Sequence, residues 1–286
     1  MSKAKIGLGC VTFGREIGRR DSFALLDAAV ERGLDLLDTA AAYGEGASEE
    51  IVGEWLRSRP DAAASVEVAT KILPPFHASE IRGRVEESCL RMGVSGIDLL
   101  YLHSWDTTVE EHGVLAALDE LLRDGKVRRL GVSNVKMGYL LRVRKIQEQL
   151  GFVPFSVIQN NFNYAVRDLT EADRKVCREH GIAVVTYSPL GAGFLTGKHR
   201  NGVEKGSRFD VIPGHQDVYF TAQSWDRLDR LENAAKSAGV SQAHLAMAWA
   251  FSQPDIDYVL IGARKLDHLE QAFLAREEDV ELLSGL

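Results

Sequence analysis

The sequence predicts an α/β protein, a single (β/α)8 TIM barrel domain over residues 1–286. Three observations carry this expectation. Short β-rich runs alternate with helical stretches from one end of the chain to the other. About eight such strands, each followed by helix, fill a length near the ~250 residues typical of that barrel. No linker interrupts the repeat, and no G-x-G-x-x-G follows a first strand, as a doubly wound dinucleotide-binding sheet requires.

Residues 6–11 are glycine-rich and read as strand or hairpin. Residues 22–32 read as helix, with Asp21 placed to cap it. A strand is expected at 34–38, a helix at 48–57 and a strand at 66–71. The helix at 78–92 shows its apolar face in Ile81, Val85, Cys89 and Met92, a spacing near one helical turn. Then come a strand at 97–103, a helix at 114–123 closed by Gly125, and a strand at 127–133. A helix at 136–150, a strand at 156–160 and a helix at 169–179 ended by Gly181 follow. The seventh strand lies at 182–187. After it runs one long irregular stretch, 191–221, of a size that usually covers a site. Helices at 222–238 and 242–252, a strand at 258–262 and a helix at 266–275 complete the pattern.

The net charge of −7 argues against a general nucleic-acid binder. No apolar run approaches the roughly 20 residues that span a bilayer. Met1-Ser2-Lys3-Ala4-Lys5 lacks the apolar region of a signal peptide. Cys10, Cys89 and Cys177 stand far apart without a CxxC pair, so neither a disulfide framework nor a metal site is expected. A reducing cytoplasm is the expected compartment.

The barrel makes a sharp prediction about chemistry. Its βα loops meet at the C-terminal face, so residues that end the strands gather at one rim. Those residues include Asp38, Lys71 and His103, with Tyr43 just beyond the second strand. Taken singly, each has a plain reading: a turn former, a rim charge, a core imidazole, a packed ring. Together they are an acid, an amine, an imidazole and a phenol around one pocket, which is a proton-transfer site. A phenol has a pKa of about 10, and a neighbouring ammonium favours its ionised form. Lys71 is expected to act so on Tyr43, Asp38 to hold Lys71, and His103 to aim a substrate oxygen at the phenol. Such a site suits a carbonyl receiving hydride.

Later strand ends suit the hydride source. Ser133, Asn134 and Gln159 offer groups for a carboxamide, and Tyr187 a ring for stacking on a pyridine. Residues 188–198 form a glycine-bearing loop whose N–H groups are placed to meet a pyrophosphate, although it is no Walker A loop. Arg264 and Lys265, ahead of the last helix, suit a further phosphate.

Asp38-Thr39-Ala40-Ala41-Ala42-Tyr43-Gly44 resembles the D-T-A-x-x-Y-G segment of the aldo-keto reductase superfamily. Ala69-Thr70-Lys71, Leu102-His103, Gly131-Val132-Ser133-Asn134, Tyr187-Ser188-Pro189-Leu190 and Ile261-Gly262-Ala263-Arg264-Lys265 resemble its other blocks, and the likeness runs from Ile6 to Ala275. The resemblance implies a barrel that binds NADPH, with NADH as the alternative, and no Rossmann domain. It implies Asp38, Tyr43, Lys71 and His103 as catalytic residues, with Tyr43 the general acid in reduction. It implies that Ser133, Asn134 and Gln159 hold the carboxamide of the cofactor, that Tyr187 stacks on its ring, and that Asp38 is also among the cofactor-binding residues. Ser188, Leu190, Gly191 and Leu195 would line the pyrophosphate, and Gly9, Cys10 and Val11 would approach from the first loop. Arg264 would meet the 2′-phosphate and Gln271 the adenine end, with Gly262 and His268 also among the cofactor-binding residues. His268 and Ala272 depart from residues common there, which weakens the preference for NADPH.

The substrate is expected to be a small aldehyde or ketone, or the alcohol in reverse. Phe13 and Trp105 are expected to wall its pocket together with Tyr43 and His103, offering faces for an aromatic ring or a sugar. Arg15, Glu16, Glu45, His215 and Gln216 are candidates for hydroxyl groups, which favours a sugar-like carbonyl compound. Two other readings stand beside this one: a barrel lyase with Lys71 as Schiff base, and a non-catalytic cofactor-sensing subunit.

Overall fold

The computed structural model describes residues 3–279. Its strands are β1 (Lys5–Gly9), β2 (Leu36–Asp38), β3 (Glu67–Ile72), β4 (Ile97–Leu102), β5 (Val127–Ser133), β6 (Val157–Asn161), β7 (Ala183–Tyr187) and β8 (Tyr258–Gly262). They close in chain order into one parallel barrel, with β1 paired to β8 through Gly9 and Gly262. Helices fill the crossovers, as the parallel pairing demands. The expected (β/α)8 TIM barrel is the observed fold.

The register decides which side chains face inward. Gly9 pairs with Asp38, Asp38 with Ala69, and Lys71 with Tyr101. Tyr101 pairs with Gly131, Ser133 with Gln159, and Asn161 with Tyr187. Alternate residues along a strand share a face, so all of these lie on one surface of the sheet. That surface is the barrel interior: Leu36, Ala69, Leu99, Tyr101, Val157, Val185 and Leu260 form a buried cluster of their own there. The larger core lies outside the strands, beneath the helices. Gly131 makes room for the Tyr101 ring, since a Cβ there would stand 2.5 Å from it.

Several boundaries differ from the sequence reading. The first segment is a strand, not a hairpin. The first helix runs Arg19–Glu31, with Gly18 at the N-cap and no side-chain cap. Asp21 therefore sits inside the first turn, where its charge complements the helix dipole instead of capping. The helix Glu171–Glu179 starts at a capping box formed by Thr170 and Asp173. The stretch after β7 is less irregular than expected. It holds a 3-10 segment, Gly191–Thr196, and two short helices, Arg208–Val211 and His215–Tyr219.

Candidate active site

The strand ends and the loops beyond them enclose a cleft of about 880 Å³. Strand-end residues, among them Asp38, Ser133, Gln159 and Tyr187, form its floor. Residues of the stretch after β7, with Arg15, Glu16 and Arg264, form its outer walls.

Asp38, Tyr43, Lys71 and His103 meet at the floor. Lys71 is fully buried, and its ammonium forms an ion pair with the Asp38 carboxylate. It also donates to the Thr39 carbonyl at 2.8 Å and to the Tyr43 hydroxyl at 3.3 Å. The second Asp38 oxygen accepts from Gln159 Nε2 at 2.8 Å. His103 stands edge-on to the Tyr43 ring, with centroids 5.6 Å apart. Three strands thus fix one amine, and that amine faces one phenol.

Electrostatics set the protonation states. Burial works against the Lys71 charge, but Asp38 and Tyr43 outweigh it, and the lysine is held above its ordinary pKa. Burial pushes the Tyr43 phenol up, and the Lys71 charge pulls it back only in part. The net shift is upward, so the expectation of a lowered Tyr43 pKa is corrected: desolvation outweighs the ammonium. At neutral pH the phenol keeps its proton. Burial, and then the Lys71 charge, push His103 down to about 4, so its imidazole is neutral.

The amide groups are partly engaged already. Asn134, at φ 54°, donates to the His103 carbonyl at 2.9 Å and accepts from the Tyr187 hydroxyl at 2.6 Å. Gln159 is tied to Asp38. Each still has one N–H and one carbonyl lone pair for a ligand. Asn161 also lines the floor, and its oxygen accepts from Tyr219 at 2.9 Å. Sequence reading missed it, although it sits two residues beyond Gln159 on the same face and the β-strand period would have found it.

Gly9, Val11, Ser188, Leu190, Gly262, Arg264, His268 and Gln271 line the cleft as expected. Other expected contacts do not. Phe13 is fully buried in the outer core, paired with Ile17 through an isolated bridge. Trp105 stacks on Tyr139 at 5.3 Å instead of walling the cleft. Cys10 is buried, and its N–H is bonded to the Asp38 carbonyl. Gly191 and Leu195 are buried below the surface. The 3-10 winding turns the N–H groups of Gly191, Gly193 and Leu195 onto Ser188 and Leu190 carbonyls, so they are not free for a phosphate. Glu45 and Gln216 do not reach the cleft, and Ala272 is buried in the core. Lys198, Lys205 and Arg208 line it, and no local pattern marked the last two, because the path of the loop depends on tertiary packing.

This donor set fits a nicotinamide dinucleotide. Free amide valences and the Tyr187 ring lie on the floor, and Lys198, Lys205 and Arg264 supply cations along the outer walls. The volume is that of a ligand-sized cleft.

Residues 5–282 match the sequence model of the Aldo/keto reductase family. Probable aldo-keto reductase 1 of Glycine max is 30% identical, over 94% of this chain and 79% of its own length. Norsolorinic acid reductase B of Aspergillus parasiticus is 29% identical, over 92% of this chain and 74% of its own. The uncharacterized oxidoreductase YrpG of Bacillus subtilis is 26% identical, over 96% of this chain and 87% of its own.

Proposed function

The chain belongs to the aldo/keto reductase family and is a carbonyl-reducing oxidoreductase, and on that premise we propose that it works with NADPH and uses Tyr43 as its proton donor. The observation that carries this reading is the placement of the Lys71 ammonium, 3.3 Å from the Tyr43 hydroxyl and locked by Asp38. When bound, the nicotinamide cofactor supplies the hydride. Ser133, Asn134, Gln159 and Asn161 would hold its carboxamide, Tyr187 its ring, and Lys198, Arg264 and His268 its phosphates. Arg264 favours NADPH over NADH by offering a guanidinium to the 2′-phosphate.

The chain's own residues then move one proton. The neutral His103 hydrogen-bonds the substrate oxygen and directs it toward Tyr43. Tyr43 gives up its hydroxyl proton as that oxygen gains charge. The Lys71 hydrogen bond stabilises the phenolate left behind, and Asp38 keeps Lys71 charged and in place. In oxidation the same groups run backwards, with the phenolate taking the proton.

The lyase alternative meets an obstacle in the geometry. A Schiff base needs a neutral, accessible amine. Lys71 is fully buried, protonated and donating to three oxygens. No helix among the described residues is long and apolar enough to cross a membrane. The three buried free thiols suit a reducing cytoplasm, where we place the protein. For the substrate we keep a small aldehyde or ketone, sugar-like in its hydroxyl groups. Fluorescence titration with NADPH and NADH tests the cofactor assignment. Submicromolar NADPH binding with weaker NADH binding is expected, and binding of neither defeats the reading.

A further inference from the structure

Asp38 and Lys71 stand on strands, and His103 continues the β4 ladder through its N–H bond to the Ile72 carbonyl. Tyr43 has no such support. It comes from the 3-10 turn Tyr43–Gly46, between β2 and the helix Ala47–Ser58. Its own N–H is bonded to the Ala40 carbonyl at 3.0 Å, within the same loop. The next three residues, Gly44, Glu45 and Gly46, have φ of 57°, 56° and 97°. Such left-handed backbone is costly at Glu45 and persists only where the surroundings hold it.

The holder lies behind the turn. Glu49, on the helix that follows it, is fully buried. One of its carboxylate oxygens accepts from the Thr70 hydroxyl, and the other accepts from Arg91 Nε at 2.5 Å. Thr70 directly precedes Lys71 on β3, so the strand period turns it away from the barrel interior and toward the helices. Arg91 stands near the end of the helix Ala78–Met92, and its alkyl chain lies on the strained turn: a Cβ at Gly46 would be 2.8 Å from Arg91 Cδ. Ser48 adds a second tie. Its hydroxyl meets Thr39 Oγ1 at 2.8 Å and donates to the Cys10 carbonyl at 2.9 Å, while the Thr39 carbonyl accepts from Lys71. The turn that carries the phenol is thus bound to the strands that carry the amine. Neither Glu49 nor Arg91 lines the cleft.

We propose that Glu49 and Arg91 are positioning residues for proton transfer: their ion pair clamps the Tyr43–Gly46 turn against β3 and so holds the Tyr43 hydroxyl at the Lys71 ammonium. The inference rests on the reading of Tyr43 as proton donor and deepens it. Opening the pair lets the turn relax, and the 3.3 Å contact between phenol and ammonium lengthens.

The full-length protein is assayed for reduction of 4-nitrobenzaldehyde under saturating NADPH, with urea unfolding on the same preparations giving the folded fraction. Glu49→Gln keeps an oxygen for Thr70 but turns an amide N–H toward Arg91, so the pair opens without leaving a buried charge. Its kcat should fall by about 10- to 100-fold, the cost of a misplacement of about 1 Å at a reacting group. Its NADPH dissociation constant should change by less than about twofold, because the clamp does not touch the cofactor's site. Arg91→Met should show the same split, and Arg91→Lys, which keeps the charge and the alkyl chain over Gly46, should recover most of the lost kcat. On a Tyr43→Phe background Glu49→Gln should cost nothing further, since it acts through the phenol. An unchanged kcat in Glu49→Gln, a full further loss on the Tyr43→Phe background, or NADPH binding that weakens in proportion to kcat overturns the proposal. A second readout needs no turnover: the Cζ signal of Tyr43 in protein labelled with [ζ-13C]tyrosine, assigned by its loss in Tyr43→Phe. The titratable groups that face Tyr43 (Lys71, Asp38, Cys10, His103, Tyr187 and Arg208) are all left in place by Glu49→Gln. The Lys71 charge and hydrogen bond pull the phenol's pKa down, so in Glu49→Gln the signal should move and titrate at higher pH. A signal and titration identical to wild type overturn the proposal. If the wild type reduces no 4-nitrobenzaldehyde, or Tyr43→Phe keeps full turnover, the proton-donor reading fails on this probe, and the Tyr43 signal alone decides the clamp.

Discussion

Tyr43→Phe removes one oxygen and very little else. That hydroxyl receives a single hydrogen bond, from Lys71 at a long 3.3 Å. Without it, Lys71 keeps Asp38 and the Thr39 carbonyl as partners, so the buried ammonium is never left unpaired. The loss of stability should stay within about 0.5–1.5 kcal/mol, the net worth of an ordinary hydrogen bond. The edge-on contact with His103 survives, because the ring remains. Catalysis should respond differently. General acid catalysis contributes about 10²–10⁴-fold, so kcat should fall by that factor, equivalent to about 3–5 kcal/mol of barrier. Cofactor affinity should change by less than about twofold, since the hydroxyl is assigned to the substrate side. The assay follows cofactor absorbance at saturating carbonyl substrate, with cofactor binding by fluorescence and stability by urea unfolding on the same preparation. A kcat loss smaller than about tenfold would refute the reasoning, since another group would then be delivering the proton.

Three further outcomes follow from the same structure. Lys71→Met leaves the Asp38 carboxylate, 3% exposed, with Gln159 as its remaining side-chain partner, and should cost about 3–5 kcal/mol in urea unfolding. Adding Asp38→Asn should restore part of that stability and none of the turnover, a non-additivity that an unpaired charge requires. The imidazole of His103 titrates near 4 when folded and near 6.5 when free, so the unfolded chain binds the extra proton between those values. Its contribution should therefore make stability fall by about 3 kcal/mol as pH drops through that window, and His103→Gln should remove that slope. Gly131→Ala would place a methyl 2.5 Å from the buried Tyr101 ring and should destabilise the barrel by about 1–3 kcal/mol, read by thermal unfolding.

How much of this was legible in the sequence depends on which physical period controls each residue. Asp38, Lys71, Ser133, Gln159 and Tyr187 sit on strands, and the strand period of two, together with parallel closure, sends them all to the barrel interior. His103 lies two residues beyond Tyr101 and continues the same face, its N–H bonded to the Ile72 carbonyl as the ladder would have it. For these residues the pattern and the fold carry the same information. Phe13 and Trp105 lie in loops, where no period operates. Their apolar surface was free to turn inward or pack sideways, and burial drew Phe13 into the core and Trp105 onto Tyr139. Gly191 and Leu195 failed for a related reason. A glycine-bearing loop is free to direct its N–H groups at a ligand or at itself, and here the 3-10 turns took them.

That division has a consequence for how such a site is built. Asp38 and Lys71 are anchored by strand hydrogen bonds and a buried ion pair, so their geometry is set by the barrel. Part of the cleft's outer wall stands instead on the stretch after β7, on helices of four and five residues. Helices that short have little stability of their own and depend on packing, here the aromatic contacts among Phe194, Phe209, Tyr219 and Phe220. Substitutions that redirect Arg208 or His215 therefore leave the Asp38–Lys71–Tyr43 arrangement untouched, because no hydrogen bond joins the two. Floor and outer wall of the cleft are thus held by different means: one by the closed barrel, the other by a loop that tertiary contacts hold in place.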